Sequence, residues 1–100
     1  MSITATGWKN KKGTALRSCK CESWKKHWIN CSGREWPKTC SVLGCSNDAT
    51  LGAHIYNTNP EVTGEYIIPA CDECNKRSEK FSLKESTCLV SANKQKTCEM

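Results

Sequence analysis

Nine cysteines in a chain of 100 residues limit the possible folds more than any other feature. Four of them form two close pairs, Cys40-x4-Cys45 and Cys71-x2-Cys74. A chain of this length makes one domain and buries about two-thirds of its unfolded surface. The apolar inventory is thin, with one Phe, and four Trp supply much of the bulk. A core this weak needs staples, either disulfides or metal. An odd number of cysteines cannot all pair within one chain. The segment MSITATGWKNKKGTALRS has no apolar run of the kind that directs secretion, and no stretch approaches the length of a membrane span. These features predict a cytoplasmic protein, and in a reducing compartment thiols more often bind metal than pair. Zinc is the expected staple.

The chain reads as α+β. Residues 1–18 are expected to be an irregular basic arm with one short strand around Ala15–Arg17, and residues 19–100 a single zinc-binding domain. CKCESWKKHWINCSG predicts one short helix: Ser23 suits the N-cap, Trp24 and Trp28 are four apart, and Gly33 is a stop. REWPKT is a loop, and CSVLGCSNDA a tight turn between two cysteines. TLGAHIYN is a strand, followed by the turn-rich TNPEVTGE. YIIP is a second strand, ended by Pro69. ACDECNKRSEKFSL begins a helix at or near Cys74, with Asp72 and Glu73 favourable at its N-terminus. STCLVSAN suggests a last strand, and KQKTCEM is the tail.

Cys40, Cys45, Cys71 and Cys74 form the predicted first metal site. A tight turn points the first two sulfurs at one spot, and a helix N-terminus stabilises the second two as thiolates. Two strands that can form a hairpin lie between them. Turn, hairpin and helix with a cysteine pair at each end is the treble-clef arrangement. Four thiolates suit tetrahedral zinc in a closed, structural site.

The pieces CSVLGC, GAHI and YIIPACDECN also resemble a zinc-bearing HNH nuclease over about half the chain, residues 40–81. The resemblance implies an HNH-like ββα unit, here preceded by a short Trp-containing helix. It makes His54 a general base that activates water against a phosphodiester, beside one divalent ion, with Asn75 on the helix. Two positions depart from that pattern. Ala53 stands where the family usually has an Asp, His or Glu ligand, and Ser78 where it commonly has Lys or His. Glu61, Glu65 and Asp48 are loop carboxylates whose spacing requires no such role. The favoured expectation is a structural zinc clamp, and the alternative a metal-dependent endonuclease using His54.

The whole chain further resembles a group of small bacterial and phage zinc-binding proteins, through CKCESWKKHW, GAHI, PACDECN and ANKQKTC. That resemblance brings no established activity with it. It does bear on a second zinc. A purely local site would use Cys19, Cys21, His27 and Cys31, the last two one helical turn apart. The group's pattern omits Cys31 and Cys88. It implies Cys19, Cys21 and Cys98 with His27 or His54, which would tie both chain ends to the domain. The competing reading packs His27 between Trp24 and Trp28 as a core residue.

The formal charge is +5, which zinc thiolates at two sites would reduce to about +2. Its distribution is uneven. Residues 1–40 hold nine bases and two acids, whereas residues 41–100 hold six and eight. Nucleic acid is therefore the first candidate partner, through Lys9, Lys11, Lys12, Arg17, Lys20, Lys25 and Lys26, and a protein the second. SWKKHW mixes aromatics with bases as single-strand binders do. A poor core nonetheless needs its Trp residues inside.

Overall fold

Strand alternation is clearest in LGAHIYN, where Ala53, Ile55 and Asn57 share one face and Gly52, His54 and Tyr56 the other. The computed structural model describes residues 6–11, 24–85 and 87–92. In it β2 (Leu51–Asn57) and β3 (Glu65–Ala70) form an antiparallel hairpin that sets Ala53 opposite Ile68 and His54 opposite Ile67. The connection is held by Asn59, whose carbonyl accepts from the Val62 amide and whose side chain accepts from the Glu61 amide. A three-residue β1 (Trp8–Asn10) pairs with the outer edge of β2. A two-residue β4 (Val90–Ser91) pairs with β3. Among the described residues this is one antiparallel sheet of order β1-β2-β3-β4.

Both faces of the sheet are covered. On one, Trp8, Ala53, Ile55, Ile68 and Ala70 pack with Cys40, Val42, Cys71, Cys74, Phe81 and Leu83. On the other, Ile67 and Val90 pack with Trp24 and Trp28 of helix α1 (Trp24–Ser32). This two-sided burial explains the unbroken apolar run of β3, Ile67 to Ala70. Helix α1 starts directly over Gly52. A Cβ on that glycine would lie 2.6 Å from the Trp24 carbonyl carbon and 2.7 Å from the Lys25 nitrogen. The predicted helix and its stop at Gly33 agree with the observed element; Ser23 lies outside the described residues.

Three expectations need correction. Residues 8–10, assigned to an irregular arm, are strand β1. Trp8 is fully buried, edge-on to Tyr66 at 5.8 Å, and exchanges backbone hydrogen bonds with Phe81. The proposed strand at Ala15–Arg17 lies outside the described residues. Pro69 does not end β3 but sits within it, opposite Gly52. Its carbonyl, and so its missing N–H, points away from β2, towards the Ser41 amide; the β2–β3 ladder therefore loses no donor. The helix begun by CDEC, α2 (Asp72–Asn75), is a single turn. Residues 81 and 83 bridge to Trp8 and Val42 as extended backbone, so the helix cannot run on to them.

Candidate metal centre

The turn predicted between Cys40 and Cys45 is a knuckle. Gly44 takes φ 85°, a conformation that favours glycine, and the Cys45 amide donates to the Val42 carbonyl at 3.0 Å. The Cys40 amide donates to Asn47, and the Ser41 amide to Pro69 in β3. That last bond docks the knuckle against the end of the hairpin. There Cys71 caps α2, its sulfur accepting from the Cys74 amide at 3.4 Å. Two segments some thirty residues apart thus meet at one point.

The four sulfurs lie within 4.8 Å of one another. Cys40, Cys71 and Cys74 are buried, Cys45 is half-buried, and all four are free cysteines. Cys45 and Cys71 approach to 3.8 Å between sulfurs. Zn–S bonds of about 2.3 Å in a tetrahedron give an S···S edge of ~3.8 Å, so the donor set and its spacing fit zinc. Among the described residues no other set of three or more His, Cys, Asp or Glu converges in this way.

The sulfurs are not electrostatically equivalent. Burial pushes Cys71 up, but the Cys74 amide, the Asn47 side chain and the neighbouring thiols outweigh it and bring it down to about 7. Cys74 is pushed up, first by burial and then because its thiol donates hydrogen bonds to the neighbouring sulfurs; burial also raises Cys40. One sulfur is therefore ready to carry charge. A divalent ion would displace protons from the others.

The remaining candidates lie elsewhere. His54 alternates with Ala53 and Ile55, so it faces α1, and the sheet separates it from the cysteine cluster and from α2, which carries Asn75. It is 5% exposed. Its Nε2–H donates to Glu65 Oε1 at 2.6 Å, and its ring meets Trp24 edge-on at 5.0 Å. Glu65 is thus not a loop carboxylate but the first residue of β3. Asp48 and Glu61 are exposed and take no part in the cluster.

His27 is fully buried; its Nε2–H donates to the Ser91 carbonyl at 2.7 Å, and its ring also meets Trp24, at 5.2 Å. The two histidines proposed as alternative second-site ligands therefore contact one indole. Cys19, Cys21 and Cys98 lie outside the described residues. Cys31 and Cys88 pack as half-buried thiols beside the Trp24–Trp28 core. No family model, curated protein or solved structure matches this chain.

Two polar residues that cysteine spacing does not single out also support the cluster. Asn47 donates to Cys71 Sγ at 3.7 Å. Asn10, buried in β1, donates to the carbonyls of Cys74 and Arg77 at 2.7 and 2.9 Å, holding α2 to the sheet. Asn47 lies two residues beyond a cysteine, which is a local hint. Asn10 carries no local signal.

His54→Ala should be costly, because it removes both a buried ring and the partner of Glu65. Thermal denaturation is expected to fall by about 5–10 °C. Burial pushes the Glu65 carboxyl up, but the bond and charge of His54, with Lys11 at 3.4 Å, hold it below its ordinary value. A depressed carboxylate stabilises the fold above its unfolded pKa and loses that contribution as pH falls through the folded one. The gap between wild type and variant should therefore narrow in acid. An unchanged melting temperature at neutral pH would refute this assignment.

Proposed function

We propose that this protein is a small zinc-stapled binding module of treble-clef type, in which the metal is structural. One observation carries the reading: four cysteine sulfurs, three of them buried, converge within 4.8 Å where a knuckle meets a helix start. Four protein thiolates complete a tetrahedral shell and leave no position for water or substrate. Bound zinc would supply cross-linking rather than Lewis-acid chemistry. Native mass spectrometry tests the reading directly, with at least one zinc per chain expected. A metal-free folded protein would refute it.

A second zinc, held by Cys19, Cys21, Cys98 and His27 or His54, belongs to the same proposal. Its support is that each histidine already commits Nε2–H to a carbonyl or carboxylate, as ligating histidines commonly do. Any ion would then be taken by Nδ1. A count of two ions supports this site, and a count of one removes it.

The enzyme alternative, an HNH-type endonuclease, would use His54 as a water-activating base near a divalent ion. Ala53 offers no ligand, and His54 is enclosed by Trp24 and Glu65, so the clamp is preferred. Mg2+- or Mn2+-dependent cleavage of plasmid DNA that vanishes in a folded His54→Ala variant would reverse that preference.

Nucleic acid is the proposed partner, on the strength of the nine bases and two acids in residues 1–40. Lys9 and Lys11 lie on and just after the edge strand β1. Binding should be weak, indifferent to sequence and steeply salt-dependent. Replacing Lys9, Lys11 and Lys12 with Gln should reduce the slope of log K against log salt by up to about 3. No binding to single- or double-stranded DNA or RNA at low ionic strength would point instead to a protein partner.

A further inference from the structure

The knuckle is held from behind by residues 81–84, which run beside it as extended backbone. Phe81 exchanges hydrogen bonds with Trp8, the Leu43 amide donates to Ser82, and the Lys84 amide donates to Ser41. Leu83 bridges to Val42. At the end of this strap the Lys84 side chain turns to the knuckle. Its Nζ donates to the Cys40 carbonyl at 2.7 Å and to the Cys45 carbonyl at 2.6 Å. These carbonyls belong to two of the metal-site cysteines themselves, 44 and 39 residues away in sequence.

We infer that Lys84 is a positioning residue for the metal centre: it ties together the backbones of Cys40 and Cys45 and sets a positive charge on the carbonyls of two of the four cysteines. The assignment rests on the zinc reading proposed above. An ammonium group has three N–H donors on one atom, so it can bridge two carbonyls where a single N–H cannot. Charged donors make shorter and stronger bonds than neutral ones. Four thiolates with one divalent ion carry a net charge of −2, largely within a buried cluster. A half-buried cation bonded to the ligands' own carbonyls offsets part of that charge. Knuckle geometry and charge balance thus depend on the same side chain.

Outer-shell partners of metal ligands commonly change affinity about 10–100-fold when replaced. The test uses the full chain loaded with Zn2+ or Co2+. Zinc affinity is measured by competition with a chromogenic chelator, and ligand geometry by the visible absorption of the cobalt form. Lys84→Met is expected to weaken zinc about tenfold or more and to reduce the tetrahedral cobalt bands. Lys84→Arg, which keeps the charge and several donors, should recover most of both. Lys80→Met, at an exposed lysine just before this strap, should match the wild type. Should Lys84→Met precipitate, Lys84→Gln repeats the measurement without the charge and is expected to show the same fall. Wild-type affinity in Lys84→Met or Lys84→Gln overturns the assignment, as does an equal loss in Lys80→Met. Failure of the wild type to bind cobalt or zinc would instead overturn the metal reading itself, and this assignment with it.

Discussion

Cys71→Ser is expected to unfold the protein, and so is chelation of the zinc proposed for the cysteine cluster. Structural zinc contributes on the order of 10 kcal/mol in small zinc-folded peptides, comparable to the whole stability of an ordinary domain, about 5–15 kcal/mol. Here the ligands are also core. Cys40, Cys71 and Cys74 belong to the same buried cluster as Ala53, Ile55 and Ile68, so loss of a metal from these sulfurs would loosen that face of the sheet. Cys71 additionally caps α2. Cys45→Ser should behave in the same way. Cys31→Ser and Cys88→Ser should be mild, because both side chains are half-buried on the other face and outside the cluster. Amide dispersion in NMR spectra reads the outcome. Chelated protein that kept its native dispersion would contradict the structural role of the metal.

Gly52→Ala is the next most damaging change. The new methyl would meet the Trp24 carbonyl carbon at 2.6 Å, the Lys25 nitrogen at 2.7 Å and the Trp24 carbonyl oxygen at 2.8 Å. All three are backbone atoms at the start of α1, so no rotamer change relieves the contact. The helix must lift, and Trp24 and Trp28 lose their packing on Ile67 and Val90. A loss on the order of 3 kcal/mol follows, or a melting temperature lower by at least about 10 °C. The cysteine cluster lies across the sheet, so zinc content should survive at low temperature. Thermal melts of the zinc-loaded variant decide the matter; a shift of only a degree or two would mean that α1 does not approach the strand this closely.

The elements legible in the sequence were those with local causes. Cysteine spacing marked the cluster and the tight turn between Cys40 and Cys45, Gly33 marked a helix stop, and TLGAHIYN read as the strand that became β2. What was not legible depended on distant partners. Trp8-Lys9-Asn10 has no apolar run, and it becomes a strand because β2 and Phe81 offer backbone partners. That α2 cannot run on to residues 81 and 83 follows from their pairing with Trp8 and Val42. Glu65 looked like part of a loop because its partner, His54, lies on the other strand of the hairpin. Lys84 reads as an ordinary lysine until its reach across about forty residues is seen.

The hairpin joins the two halves of the cysteine cluster, and this makes metal binding there sensitive to strand alignment. Leu51 stands opposite Ala70, the Thr50 amide donates to the Ala70 carbonyl, and Cys71 follows at once. A slip by one residue would move Cys71 about 3.4 Å along the strand and exchange the faces on which His54 and Ile55 lie. The slipped pairing could not close a four-sulfur shell. Zinc bound at this cluster would therefore reward a single alignment of two short strands and leave mispaired hairpins without that source of stability, so a metal held there would proofread the fold as well as clamp it.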